Sequence, residues 1–600
     1  MLREAFLLTG LCLAQRAAAS SEPLIKVAAP GLVPHGASQI VDHAFASFSF
    51  PAHWLADFAG NNSHPNLFSR DILDLLYRKT GKHPYIRKES ILVESGANGI
   101  PSAVYIGPVY FEAFNNFPGS LWSFQANLAN NATWGLNNTL EVCKQVMNTL
   151  KSSLVAFEIG NEVDLYPCAV RPCEYDVHDY LQEWTTYADA ISKHVLKGNR
   201  YGLDEQRFFQ ALVFANAELN TFTTPNAFNG GIDSSNHVKS VSLHHYAAGN
   251  QAWVRLQETF MNHTAVVANL SIYSPANNYL KTNYPNITFL LGETNSDYTN
   301  ILMSQVEGVF GSALWLIDYL MYGMSLNITR FNLIQGTTFG YTGWVPVPTG
   351  SMQPYVRAPL YGQIVVADVI GHNPHVQIIP INLGSNHWKF SAYGVYESNK
   401  LSKYVLINLD EWNSTTIYPR PTQQVTLNFP SSVKSATVQR LLGAGASADS
   451  SISWGGLSWN YTHGRLAQSG RPHYEVLGIT RGMAKLTIPS TEAVVVTLDR
   501  SQGPLKILST TSLWLKRVTT WFQSLPSNGW LAAAGIIRNI DPWNSDCDNS
   551  GTPATYTATP NADGKTFALN SSKGKCAVLS NSSLSCDPSN RFLFPIRSFS

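Results

Sequence analysis

Short apolar runs alternate, through the first two thirds of the chain, with longer segments whose apolar residues recur at helical spacing. Residues 44–50 alternate Ser and Phe and read as a strand. Residues 68–82 carry Leu73, Leu75, Leu76 and Tyr77 on one helical face, with Asp71 and Asp74 near the start. Strands at 84–87 and 103–111 and a helix at 138–151 follow. The run Leu154-Val155-Ala156-Phe157-Glu158-Ile159 then reads as a buried strand delivering Gly160-Asn161-Glu162 at its carboxyl end. A helix at 177–196, strands at 208–215, 241–246 and 287–293, a helix at 311–326 and a strand at 329–335 continue the pattern. Strand and helix alternating about eight times predict an α/β chain folded as a (β/α)8 TIM barrel over residues 20–375.

From about residue 376 the texture changes. Runs at 376–381, 388–396, 404–409, 424–429, 436–442, 483–489 and 493–498 alternate at period two, separated by Gly, Pro, Asn and Ser without a helix. They predict a C-terminal antiparallel β-sandwich over 376–500, and the early strand at 23–28 is a candidate to join it. Residues 501–600 hold one amphipathic piece, 513–522, among polar tracts without a period. That extension has no assigned structure: it is expected to be largely disordered, with a small disulfide module or sequence outside the fold as the alternatives.

Composition narrows the setting. Hydrophobic content of 44% with 14% charge describes a large-cored globular chain, and a formal net charge of +1 with dispersed Lys and Arg argues against a nucleic-acid partner. Residues 1–19 combine Arg3, an apolar segment and Ala17-Ala18-Ala19, which predicts a secretory signal peptide too short to span a membrane. Sequons headed by Asn61, Asn131, Asn137, Asn262, Asn269, Asn286, Asn327, Asn413, Asn460, Asn570 and Asn581 predict a secreted, N-glycosylated protein. Cys168 and Cys173 flank Pro172 at a spacing suited to stapling one loop. Cys143 has no local partner, Cys547, Cys576 and Cys586 form a trio in the tail, and no Cys or His spacing suggests a metal site.

The second strand that ends in a carboxylate is Ile287-Thr288-Phe289-Leu290-Leu291-Gly292-Glu293. Three strand–helix units of roughly 31 residues, with insertions, fit between Glu162 and Glu293, placing them on the fourth and seventh strands at one mouth of the barrel. Cleavage of a glycosidic bond with retention needs such a pair, one acid and one nucleophile about 5–5.5 Å apart. Glu162 suits the acid/base, with the Asn161 amide holding the sugar 2-hydroxyl. Glu293 suits the nucleophile, with Tyr298 or Tyr246 as a donor that keeps it ionised. Glu158 shares the strand face of Glu162 but lies deeper, and reads as a structural residue paired inside the barrel. No cofactor is required, since the carboxylates supply both proton and nucleophile.

Phe157-Glu158-Ile159-Gly160-Asn161-Glu162 with Leu291-Gly292-Glu293-Thr294-Asn295-Ser296 resembles glycoside hydrolase family 79. Ile106-Gly107-Pro108, the 114–119 segment, Trp122-Ser123-Phe124-Gln125-Ala126-Asn127-Leu128 and Leu243-His244-His245-Tyr246 are similar to its fungal secreted β-glucuronidase branch. The resemblance covers roughly residues 25–498. It implies a retaining exo-β-glucuronidase acting on terminal glucuronic acid or its 4-O-methyl form in glycoconjugates. It further implies that Tyr298 and Gly340-Tyr341 meet the sugar carboxylate and that His245 lines the pocket; for Tyr341 a packed aromatic loop is the competing reading. The sequence departs from the family after Ile86-Arg87, where a Gly-Gly turn is replaced by residues 88–99, Lys88-Glu89-Ser90 onward. Two alternatives follow. An endo-acting heparanase- or hyaluronidase-like enzyme would need a basic cleft, and no Lys/Arg cluster lies near the motifs; an inactive sugar-binding homologue would follow from the altered turn.

Overall fold

Eight strands of the computed structural model, all parallel, close into a barrel in chain order. They are β1 (Ala46–Pro51), β2 (Ile86–Glu89), β3 (Trp122–Ala126), β4 (Leu154–Ile159), β5 (Phe209–Phe214), β6 (Val238–Ala248), β7 (Thr288–Asp297) and β8 (Phe331–Ile334), with β8 returning to pair with β1. The structure describes residues 24–89, 106–249, 251, 253–298 and 306–499, and four strands between 556 and 587. Every residue of β3, β5 and β8 is buried, as strands covered on both faces must be. The covering helices include Leu67–Thr80, Gly135–Leu150, Val177–Ile191, Phe310–Ser325 and Ala358–Ile370. Their ends follow local chemistry: the Asn66 side chain accepts from Ser69 N, Gly81 closes the same helix at φ +81°, and Asp176 and Asp179 form a capping box.

The strand expected at 103–111 is not the third barrel strand. Residues 103–105 lie outside the described residues, and Pro108–Glu112 is a helix running into a 3-10 turn, Ala113–Asn116. Proline at the first turn favours that helix, and buried Phe111, Phe114 and Phe117 recur at a spacing of three. Trp122–Ala126 takes the strand position instead. The rewritten segment after Arg87 contributes Lys88 and Glu89 to the end of β2. Its remainder, and the signal peptide expected at 1–19, lie outside the described residues.

The sandwich packs a sheet of Ile25–Val27, Thr422–Asn428 and Met483–Pro489 against a nine-stranded sheet that includes Phe390–Glu397, Lys400–Asn408, Ser435–Leu442 and Glu492–Asp499. Ile25–Val27 pairs in parallel with Val425–Leu427, and Ile25, Val27, Leu406, Val425, Leu427, Val494 and Val496 share one core. Barrel and sandwich are joined through polar contacts, exposed at one place and buried at another. Arg465 forks onto Asp71 at 2.7 and 2.8 Å, and Trp454 Nε1 donates to Asp368 at 2.6 Å. Asp318, fully buried on the helix Phe310–Ser325, receives Tyr393 Oη at 2.6 Å from the sandwich and His263 Nδ1 at 2.9 Å from the barrel.

Burial pulls the His263 pKa down, but the Asp318 carboxylate and its hydrogen bond outweigh that, so the net shift is upward from 6.5. A raised folded-state pKa contributes stability that is complete below the unfolded value and is lost as pH rises through the folded one. Melting curves should therefore show the largest Tm gap between wild type and His263→Gln below about pH 6.5, narrowing at alkaline pH. A gap that widens with pH would contradict this sign.

In the tail, residues 501–555 lie outside the described residues. Within the extension that the sequence leaves without an assigned structure, Tyr556–Pro560, Phe567–Ser571, Gly574–Val578 and Leu584–Asp587 form a four-stranded antiparallel sheet of their own, with Cys576 opposite Cys586 in register. Residues 1–500 and 501–600 are two separate compact units. Among the described residues no helix is long and apolar enough to cross a membrane.

Candidate active site

Arg87, on β2, gathers the mouth of the barrel. Its Nε donates to Glu158 Oε2 at 2.6 Å, Nη1 to Glu293 Oε2 at 2.8 Å and to Ser49 Oγ at 3.1 Å, and Nη2 to Asn161 Oδ1 at 2.8 Å. The side chain is fully buried. One planar fork thus fixes the supporting carboxylate, the nucleophile candidate and the amide beside the acid/base candidate. Glu158 also accepts from Gln210 Nε2 at 2.8 Å, so its role is structural. In the sequence Arg87 is marked only by its place at the end of the strand expected at 84–87, the one signal available for it.

Glu162 is presented by a strained turn. Gly160 has φ +86° and Glu162 itself φ +49°, a left-handed conformation that non-glycine residues hold only where surroundings impose it. Here Glu162 N donates to Val213 O at 2.7 Å, and Asp164 accepts from Ala215 N, Asn216 N and the Asn216 amide. Burial raises the Asp164 pKa, those donors lower it, and the Glu162 charge adds to the rise. A Cβ on Gly160 would lie 2.6 Å from Val163 Cγ1. The loop that follows is stapled by the Cys168–Cys173 disulfide; Cys143 is buried and free.

Glu293 is deeper, its side chain 6% exposed against 29% for Glu162. Besides Arg87 it receives Tyr246 Oη at 2.5 Å. Of the two tyrosines the sequence left open as donors, Tyr246 makes this bond. Gly292 lets β7 pass β6, because a Cβ there would sit 1.9 Å from Ser242 Oγ and 3.3 Å from Glu158 Oε1. Gly292→Ala should therefore cost at least about 1–3 kcal/mol in urea unfolding and displace Glu293; a variant with wild-type stability would show that β7 has room to move.

The histidine at the site is His244, one residue from the expected His245. Side chains alternate along β6, so positions 244 and 246 face the barrel interior and 245 faces the helices. His244 Nδ1 lies 3.0 Å from Glu162 Oε1 and 3.9 Å from Glu293 Oε2. Its Nε2 is buried with no acceptor among the described residues, which favours the ring proton on Nδ1, donating to Glu162. His245 instead contacts Tyr273 Oη at 3.0 Å and stacks on Tyr319, and burial pushes its pKa down to about 4. The β7 register shift between Leu291 and Glu293 sets Glu293 level with His244.

The other expected residues lie further out. Tyr298 is at the rim, 58% exposed, edge-on to Tyr246 with centroids 6.2 Å apart. Tyr341 is buried in a cluster with Ile334 and Phe339, against Trp54 and Tyr246, and Gly340 O accepts from Arg357 Nη1 at 2.9 Å. One oxygen each of Glu162 and Glu293 and a His244 nitrogen all lie within 4.8 Å of one another. Such a trio has the donor set for a cation, but Arg87 already provides the counter-charge at Glu293. The arrangement is a close carboxylate pair, one member buried and charge-paired, the other open to the mouth.

Comparison with known proteins supplies the family context. The profile of the glycosyl hydrolase family 79 C-terminal beta domain matches residues 392–495, and that of the RNase T2-like C-terminal domain matches residues 534–595. A β-glucuronidase of Aspergillus niger is 32% identical over 78% of this chain and 93% of its own length. A β-glucuronidase of Neurospora crassa is 28% identical over 71% of this chain and 86% of its own. Among solved structures, a 4-O-α-L-rhamnosyl-β-D-glucuronidase from Fusarium oxysporum superposes with TM-score 0.66 at 20% identity, over 79% of this chain and all of that one, a likeness of fold.

Proposed function

The chain belongs to glycoside hydrolase family 79, and on that premise we propose that it is a secreted, retaining exo-β-glucuronidase. The observation that carries this reading is the Glu162–Glu293 pair, with an oxygen of each inside 4.8 Å. That separation suits double displacement and is too short for the roughly 6.5–9.5 Å that an inverting enzyme needs to seat a water.

In the first step Glu293 attacks the anomeric carbon while Glu162 passes its proton to the departing glycosidic oxygen; a glycosyl–enzyme ester forms and the aglycone leaves as an alcohol. In the second, Glu162 takes a proton from water, whose oxygen attacks the same carbon and releases Glu293. Arg87 and Tyr246 favour the carboxylate form of Glu293. His244 Nδ1, 3.0 Å from Glu162 Oε1, donates to that oxygen, which can accept in either form of the carboxyl group. Asn161, its Oδ1 held by Arg87, is the group we assign to the sugar 2-hydroxyl. Tyr298 and the Gly340-Tyr341 loop are the candidates for the sugar carboxylate.

Proton NMR of p-nitrophenyl β-glucuronide hydrolysis tests the reading. The β-anomer of glucuronic acid should appear first and mutarotate afterwards. Initial α-anomer would overturn retention, and cleavage of sulfated polymer fragments without turnover of the aryl glucuronide would favour the endo reading.

A further inference from the structure

Among the described residues two tryptophans are exposed, Trp134 at 59% and Trp253 at 65%. Both lie on loops that follow barrel strands, Trp134 after β3 and Trp253 after β6, and so at the face where Glu162 and Glu293 open. Leu165, 48% exposed, stands three residues beyond Glu162 in the loop after β4. An exposed indole forgoes most of the burial that large aromatic side chains gain. Two of them at one mouth mark that rim as a binding surface rather than a random scatter.

The rim reaches the catalytic pair through one aromatic contact. Tyr246 donates to Glu293 and meets the ring of exposed Tyr298, so aromatic contact runs from the nucleophile to the rim. The acid/base delivers its proton to the leaving oxygen, so the group beyond that oxygen must lie on the Glu162 side; Trp134 is on the loop after the neighbouring strand β3, and Leu165 on the loop after β4 itself. Charge decides the kind of occupant. On the described parts of these loops Arg171 is bound to Glu183 and to the Leu128 and Ala129 carbonyls, and Arg357 to Gly340 O. Arg255 is the one exposed cation there. A sulfated or polyuronic chain would need several.

We propose that Trp134 and Trp253 form the leaving-group subsites of this enzyme and stack the pyranose rings of a neutral glycan chain that carries the terminal glucuronate. The proposal rests on the glucuronidase reading for its chemistry but not for its test. Methyl β-glucuronide should be hydrolysed equally by wild type, Trp134→Ala and Trp253→Ala, whereas a glucuronyl-galactotetraose should show a KM raised about tenfold by each substitution, with kcat preserved. Equal effects on both substrates, or none on either, would overturn it. Calorimetric binding of galactotetraose alone reads the same surface independently of turnover. If wild type hydrolyses neither glucuronide, the catalytic reading fails, while binding lost in both tryptophan variants still supports the subsites. No binding of galactotetraose, or tighter binding of a sulfated heparan tetrasaccharide, rejects them.

Discussion

Glu293→Ala is expected to lower kcat for p-nitrophenyl β-glucuronide by about 10^4- to 10^6-fold, the scale of removing a covalent nucleophile. The reason is positional. Glu293 is the buried member of the pair, held by Arg87 Nη1 at 2.8 Å and Tyr246 Oη at 2.5 Å, and water in its place would be neither charged nor aimed. Glu162→Ala should behave differently. A nitrophenolate leaves without much proton assistance, so formation of the glycosyl–enzyme survives and its hydrolysis becomes limiting. Added azide, which needs no general base, should then restore turnover and yield a β-glucuronyl azide. The two roles are thereby separated: azide rescue with β-product for Glu162→Ala and none of that stereochemistry for Glu293→Ala. The reverse pattern would exchange the assignments, and unchanged turnover in both would remove the site altogether.

Arg87→Met is expected to be the most damaging single change outside the carboxylates. The guanidinium is fully buried and neutralises two buried acids, Glu158 and Glu293, while bonding Ser49 and Asn161. Removing one partner of a buried ion pair costs about 3–5 kcal/mol because the charge left behind has no water to replace it. Unfolding in urea should show a loss of that order, with activity falling below detection. Arg87→Lys separates positioning from folding. An ammonium retains the charge but cannot span Glu158, Glu293 and Asn161 at once. Its stability should lie near wild type while kcat falls roughly 10^2- to 10^3-fold, comparable to losing an oriented electrostatic group. A lysine variant with wild-type kcat would mean that charge alone suffices and that the fork geometry does not matter.

The carboxylates were legible because each ends an apolar run and has a glycine one or two residues before it. Gly160 and Gly292 are needed for distinct physical reasons, a left-handed turn at one and a close passage beside Ser242 at the other. The histidine was legible only to within a residue. In His244-His245-Tyr246 the pattern does not say which side chains point inward, since both faces of a barrel strand are buried and polarity gives no phase. An apolar aromatic run such as 106–112 has the same composition in a strand or a short helix, and Pro108 at the first turn favours the helix found at Pro108–Glu112.

What the sequence determined by itself was therefore the alternation that builds the barrel, the change of period that starts the sandwich, and the two carboxylates with their strand positions. These are carried by neighbours in the chain, within reach of local rules. The tertiary structure alone decided that Arg87 bridges both carboxylate strands, that His244 rather than His245 stands between Glu162 and Glu293, that Tyr246 rather than Tyr298 holds the Glu293 carboxylate, and that Trp134 and Trp253 stay exposed on loops after barrel strands. Each is a meeting of residues on different strands or loops, fixed by barrel closure and strand register, and a one-dimensional pattern holds no record of which side chains the closed sheet brings face to face.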